Sequence, residues 1–305
     1  MALKETGILA RIRESLPGGG DLMDDCGALP PTPAGHTLLV TTDLMESDQH
    51  FRLDWHPPDL LARKLLAVNL SDLDASGARP VGYTLTLALG PGLDEAWLDP
   101  FLRGLAEATR EADVQVFGGD TVGRAAGLGL GLTAFGFAAR WLRRDGLQPG
   151  DRIYVDQKPG ASLRGLRKLA AGQRWDPRRP DADLEAHLAP KPRLGLGLRL
   201  AAIPEVHACL DLSDGLSRDL RNLAEASGLS VEVEPDLDED TLRGGEDYAR
   251  CFGAALPQAD LEARLGLPLI AVGRAVARGE APLLAYDGGL LRPLPDLSFD
   301  HFGRP

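Results

Sequence analysis

Six short segments of this chain set carboxylates beside hydroxyls or glycines, residue types that suit a hard divalent cation and the phosphates it carries. They are Asp24-Asp25-Cys26, Thr41-Thr42-Asp43, Asn69-Leu70-Ser71-Asp72, Gly118-Gly119-Asp120-Thr121, Asp211-Leu212-Ser213-Asp214-Gly215 and Gly244-Gly245-Glu246-Asp247-Tyr248. Each has a plain structural alternative. Asp24-Asp25 and the Gly-Gly-acid segments also read as solvated turns, Thr42-Asp43 as an ordinary helix cap, and Asn69 to Asp72 as the wet face of a helix. Ser213 or Asp214 alone would cap the helix that follows them. Taken together, acids recurring at the ends of apolar runs form a pattern that solvation does not demand, and they point to several Mg²⁺ ions held for a phosphate-bearing ligand. Arg144 supplies a fixed cation for phosphates or is one of three surface arginines with Arg140 and Arg143. His50-Phe51 borders an organic substrate or the solvent, and Gly18-Gly19-Gly20 covers phosphates or is a loose linker.

Several familiar chemistries are absent. No Gly-Lys dipeptide occurs, so there is no P-loop, and neither H-R-D nor D-F-G is present. H-E-x-x-H and G-x-S-x-G are missing too, and the 6 histidines are scattered. A nominal dinucleotide fingerprint, Gly129-x-Gly131-x-x-Ala134, lies inside a strand pattern and opens no helix. With a net charge of −12 the chain is a poor partner for nucleic acid, which is bound by neutralising its phosphates with Lys and Arg. An acidic protein that meets a polyanionic ligand must do so through metal ions. The 3 cysteines lack C-x-x-C spacing, which argues against a disulfide framework and a zinc site. No apolar run approaches the roughly 18 residues of a membrane span and no signal peptide is evident, so a cytoplasmic protein is expected.

A length of 305 residues with 44% hydrophobic and 26% charged residues implies a globular chain of one large or two modest domains. Residues 37–42 read as a strand. A helix opens at Pro57-Pro58 and carries Leu61, Leu65 and Val68 on one face. Residues 81–89 alternate as a strand, residues 97–112 repeat as a helix, residues 114–117 form a short buried strand and residues 129–139 another. The polar stretch 140–150 ends in Pro149-Gly150, and the domain boundary is expected there, giving domains 1–145 and 146–305. Beyond it, residues 152–155, 206–212 and 231–233 read as strands, and residues 161–171, 193–202 and 216–223 as helices; residues 173–183 read as a mobile loop. The irregular alternation favours an α+β fold.

The ordered set of acidic segments, together with His50-Phe51, the run Lys64-Leu65-Leu66-Ala67-Val68-Asn69-Leu70-Ser71-Asp72 and Phe299-Asp300-His301-Phe302, resembles the thiamine-monophosphate kinases over nearly the whole chain. The resemblance implies a two-domain PurM-like α+β fold, with an N-terminal α/β sheet domain that dimerises and a C-terminal α+β domain. It implies direct in-line transfer of the ATP γ-phosphoryl group to thiamine monophosphate, several Mg²⁺ ions, ATP as co-substrate, a homodimer, and no nucleic-acid or membrane partner. By the same resemblance, Asp25, Thr41, Thr42, Asp43, Asp72, Asp120, Asp211 and Asp214 fall on metal positions. Gly119, Asp120, Arg144 and Ser213 fall on ATP contacts, and His50, Glu246 and Phe299 on substrate contacts. No general base is expected, because the accepting phosphate is already ionised near neutral pH. Met23, Met45 to Gln49 and Lys158-Pro159 depart from the family pattern, and a short acidic run at 236–243 replaces a longer, partly helical family segment. Other ATP-dependent PurM-like synthetases, and a non-catalytic ATP or metal sensor of the same fold, are the alternatives.

Overall fold

A computed structural model describes residues 4–22, 26–287 and 290–297. The first half is a four-stranded sheet in the order β1-β4-β2-β3, built from β1 (Thr37–Glu46), β2 (Arg79–Leu89), β3 (Gln115–Gly123) and β4 (Leu128–Ala138). β4 runs antiparallel to both β1 and β2, whereas β2 and β3 are parallel. α1 (Glu5–Ser15), α2 (Pro58–Ala75) and α3 (Glu95–Glu111) cover one face, and Leu61, Leu65, Phe101, Leu85 and Leu132 are among the side chains that close the core between them. Proline at the first helical turn starts α2 without losing a needed amide. The other face of the sheet is open: Leu38, Val40, Leu44 and Val122 are 41%, 61%, 59% and 45% exposed.

The second half is a seven-stranded mixed sheet, β11-β10-β7-β9-β5-β8-β6. Its strands are β5 (Arg152–Val155), β6 (Val206–Asp211), β7 (Ser230–Val233), β8 (Arg250–Ala254), β9 (Ile270–Val276), β10 (Leu283–Asp287) and β11 (Leu290–Pro293). Its helices are α4 (Ala161–Ala170), α5 (Ala182–Leu188), α6 (Leu196–Ala201), α7 (Leu216–Ala226), α8 (Glu239–Arg243) and α9 (Gln258–Leu265). Leu216, Leu220 and Leu223 of α7 pack on one face with Ile153, Leu210 and Val272. Leu200 of α6 and Leu261 and Leu265 of α9 pack on the other with Tyr154 and Phe252. The α+β architecture is that expected from the sequence. No helix among the described residues is long and apolar enough to cross a membrane.

α2 is the axle between the halves. Leu61, Leu65 and Leu66 belong to the first core, while Ala75 at its end belongs to a cluster of the second. Its polar residues are not a wet face: Asn69, Ser71 and Asp74 are fully buried. Buried polar groups persist only when partnered, and Asp74 accepts from Gly195 N at 2.5 Å, Gly197 N at 3.0 Å and Arg250 Nε at 2.7 Å. The Gly18-Gly19-Gly20 segment is a packed turn rather than a loose linker. It enters a short 3₁₀ helix (Gly19–Asp21), and Pro17 O accepts from Val116 N of β3 at 2.9 Å. The acidic run near 240 keeps a short helix, α8, capped by the Asp238 carboxylate on Thr241 N at 2.8 Å.

Candidate active site

β1 enters the site with alternating side chains, so Thr41 and Asp43 face α2 and Thr42 faces away. Thr41 Oγ1 donates to Asp72 Oδ2 of α2 at 2.6 Å. One residue earlier on α2, Ser71 Oγ donates to Asp211 Oδ2 at 2.5 Å, and Asp211 ends β6 of the second sheet. Three carboxylates from three elements, Asp43, Asp72 and Asp211, therefore meet at the seam between the halves.

Their electrostatics record the crowding. The Asp43 carboxyl is pushed up to about 6, first by burial and then by Asp211. Asp72 is pushed up to about 7 by burial, then by Asp211 and Asp43, and the Thr41 hydrogen bond and Arg144 only partly offset this. Behind the carboxylates lies Arg250, wholly buried, with Nη1 donating to Ser71 Oγ at 2.8 Å and to Tyr248 O at 3.0 Å. Arg250 thus reaches Asp211 through Ser71 and also binds Asp74, locking the seam without facing it.

Two cavities open on this acidic seam. The first, 460 Å³, is lined by Thr41, Asp72, Asp211 and Arg144, with Leu39, Leu142 and Trp141 as its apolar wall. The second, 620 Å³, is lined by Asp43, His50, Lys64, Ser213, Asp214 and Glu246. His50 Nδ1 accepts from Glu46 N at 3.0 Å, which leaves the ring proton on Nε2. Glu246 N donates to Ser213 O at 2.8 Å, so the Gly-Gly-Glu turn is stitched to the Leu212-Ser213-Asp214 segment. Asp214 N and Gly215 N both donate to Asp219 Oδ2, at 3.1 and 3.2 Å, and this carboxylate shapes the entry to α7.

Not every predicted residue joins this cluster. Asp120 shares a cross-strand row with Thr86, Gly131 and Leu44, and so lies on the open face of the first sheet, opposite to Asp43. Thr42 lies on that face as well, its Oγ1 3.0 Å from Thr133 Oγ1. Gly119 stands three strands from Asp43, about 14 Å at ~4.8 Å per strand. Its glycine has a local cause, since a Cβ there would sit 2.0 Å from Leu85 O of the neighbouring strand. Gly119 and Asp120 line a separate cavity of 170 Å³ with Cys26 and Gly27. Ser213 and Asp214 line the larger cavity with Glu246 rather than the one that holds Arg144. Asp25 and Phe299 fall outside the described residues.

Sequence reasoning passed over Lys64, Ser71, Asp74, His187 and Arg250 as functional groups. Lys64 and Ser71 lie inside the run Lys64 to Asp72, and Arg250 follows the Gly-Gly-Glu-Asp-Tyr segment by two residues, but partners 121 to 182 positions apart leave no local signal.

The donor set fits Mg²⁺. Asp43, Asp72, Asp211 and the Thr41 hydroxyl offer hard oxygens only, and two of these carboxyls sit where like charge and burial disfavour ionisation unless a cation intervenes. Among the described residues no three acids, imidazoles or thiols form a ready cage. Mg²⁺ rarely needs one, because it takes one or two carboxylates and completes its shell with water and substrate phosphates.

Comparison with known proteins bears on the family and the fold. Residues 23–138 match the family profile described as AIR synthase related protein, N-terminal domain. The thiamine-monophosphate kinase of Escherichia coli K12 is 38% identical over 308 residues, covering 92% of this chain and 91% of that protein. The crystal structure of thiamine-monophosphate kinase from Stenotrophomonas maltophilia K279a superposes with a TM-score of 0.75 at 35% identity, covering 93% of this chain and 97% of that one. The Escherichia coli hydrogenase maturation protein HypE, at 19% identity and a TM-score of 0.75 over 96% of this chain and 97% of its own, shares the fold. The chain belongs to the thiamine-monophosphate kinase family.

Proposed function

We propose that this protein transfers the γ-phosphoryl group of ATP to the phosphate of thiamine monophosphate, yielding thiamine diphosphate and ADP. The observation that carries the reading is the meeting of two cavities at one acidic seam: Arg144 lines the first, Glu246 and His50 line the second, and Asp43, Asp72 and Asp211 stand between. In-line transfer between two phosphate-bearing substrates requires such an arrangement, with one ligand entering from each side and the reacting phosphates end to end.

In this reading Arg144 binds the ATP phosphates, Ser213 approaches the terminal phosphate from the larger cavity, and His50 and Glu246 seat thiamine monophosphate. Asp43, Asp72, Asp211 and Thr41 would hold Mg²⁺, which would supply charge neutralisation between the two phosphates. Asp25 and Asp214 are further ligands on the family pattern, and Phe299 a further substrate contact. No side chain serves as general base, since the attacking oxygen is an ionised phosphate oxygen.

The same proposal includes a homodimer formed through the open face of the first sheet. Its support is the row of exposed apolar side chains Leu38, Val40, Leu44 and Val122 on an otherwise ordinary sheet, the kind of contiguous patch that soluble chains cover. Thr42 and Asp120 lie on that face and so belong to the interface in this reading. The division into domains 1–145 and 146–305 is proposed with it, supported by the two separate sheets and the irregular linker between β4 and β5. A cytoplasmic location is also proposed, in keeping with three unbridged cysteines.

ATP labelled in its γ-phosphorus, incubated with the protein, Mg²⁺ and thiamine monophosphate, tests the reading. Label is expected in thiamine diphosphate; label appearing only in inorganic phosphate, or staying in ATP, overturns it.

A further inference from the structure

Under the floor of the larger cavity lies a charged pair that phosphoryl transfer does not need. The Lys64 side chain is 1% exposed, and its ammonium stands 2.8 Å from Glu246 Oε1. Its other hydrogen bond goes to the His187 carbonyl at 3.1 Å. His187 brings Nδ1 to 3.3 Å from Glu246 Oε2 and to 3.1 Å from Ser162 Oγ. Burial and the Lys64 charge push the His187 imidazole down to about 2, so it stays neutral and contributes a hydrogen bond rather than a second cation. Glu246 is 30% exposed, and its backbone is held in the left-handed region at φ 59.

The arrangement has a cost and therefore asks for a use. A buried ammonium is expensive unless it is paired, and a non-glycine residue at positive φ is strained unless its surroundings hold it there. In return, a side chain with three free torsions is held at Oε1 by the Lys64 ammonium, with its amide pinned to Ser213 O. A carboxylate aimed in advance binds a cation without first losing its rotamer freedom.

We propose that Lys64 is a positioning residue that holds the Glu246 carboxylate aimed into the larger cavity, making the site selective for a phosphate ester carrying a cationic heteroaromatic ring over its uncharged isostere. This rests on the reading that Glu246 faces the thiamine side. Both residues line the cavity, but Lys64 is 1% exposed and Glu246 30%, so the more accessible carboxylate dominates what a cationic ring meets.

The test compares wild type, Lys64→Met, Glu246→Gln and the double variant. KM and kcat are measured for ATP, for thiamine monophosphate and for its thiophene analogue, which lacks the ring charge. Lys64→Met is expected to raise KM for thiamine monophosphate by about three- to tenfold, to leave KM for ATP within about twofold, and to narrow the preference for the charged substrate. The double variant is expected to match Glu246→Gln alone, because Lys64 acts only through Glu246. An unchanged KM in Lys64→Met, or a double variant in which the two effects multiply, overturns the proposal. If Glu246→Gln itself leaves KM for thiamine monophosphate unchanged, the placement of Glu246 fails first and takes the proposal with it. Should Lys64→Met not fold, Lys64→Gln keeps a donor without the charge and is expected to show a smaller rise in the same KM; no rise there also overturns the proposal.

Discussion

Asp72 shows how much a single residue can carry. It accepts from Thr41, repels Asp43 and Asp211, and lines the cavity with Arg144. Asp72→Asn removes a charge that only a cation compensates, so kcat is expected to fall by about two to three orders of magnitude, the scale of losing one preorganised electrostatic contact. The metal-free variant is expected to melt at the same temperature as wild type or above it, because a repelling carboxylate has been neutralised; calorimetry beside a turnover assay checks both. His187 makes the opposite kind of prediction. Its folded imidazole is held down to about 2 while an unfolded one titrates near 6.5, so its contribution to stability is present above pH 6.5 and is lost as pH falls toward 2. His56, buried against Phe51 and His187 and lowered first by burial and then by Lys64, acts in the same direction. Wild type is expected to lose up to ~1.4 kcal/mol per pH unit from His187 below pH 6.5. His187→Leu, followed by denaturant titration from pH 7.5 to 5, is expected to show a shallower acid loss.

Among the elements, α2 decides whether a site exists at all, because it presents Asp72 to the first cavity, Lys64 and Val68 to the second, and Asp74 to the opposite half. The joint with α6 is close: a Cβ on Gly197 would lie 1.5 Å from Asp74 O, while Gly197 N donates to the Asp74 carboxylate. Gly197→Ala must therefore part α6 from α2 and disturb a buried ion pair with Arg250. A loss of about 3–5 kcal/mol is expected, the range for leaving one member of a buried pair without its partner. Chemical denaturation measures it, and a loss below 1 kcal/mol would mean the joint yields more easily than its packing indicates. Legibility differed from element to element. β1, β2, β4 and the α3 stripe could be read because each keeps a buried face at the matching period. α2 was legible from its proline start and the Leu61, Leu65 and Val68 spacing although nearly all of it is buried, and of β3 only the start could be read, because Gly118-Gly119-Asp120 also carries the signature of a turn. β8 could not, because all five of its residues are buried and no alternation survives in a strand covered on both sides. α1 hid behind its charges, although Ile8 and Ile12 form a short buried stripe at i, i+4.

For the whole molecule, the open sheet face sets the next expectation. If it is the dimer contact, Val40→Lys places a charge in the middle of an apolar patch and is expected to shift the protein from dimer to monomer in sedimentation velocity at micromolar concentration. Thr42 and Asp120, which the family resemblance puts on metal and ATP positions, share that face, so the same variant is also expected to lower turnover. A monomer with full activity would separate the interface from the catalytic seam.

The sequence by itself determined the chemistry on offer: hard oxygen donors on six segments, no P-loop, no zinc or serine hydrolase motif, an acidic chain that needs cations to meet phosphate, and most elements of the first sheet. It also carried the family resemblance, which depends on the order of motifs along the chain. Only the tertiary structure decided which acids meet. Asp43, Asp72 and Asp211 converge, while Asp120 and Thr42 turn to the other side of the sheet, because a residue's face follows from strand pairing and register rather than from its own neighbours. For the same reason the Lys64 to Glu246 pair and the Arg250 lock were invisible in one dimension: both join residues more than 170 positions apart, and the burial that gives such pairs their effect exists only once the two halves close on α2.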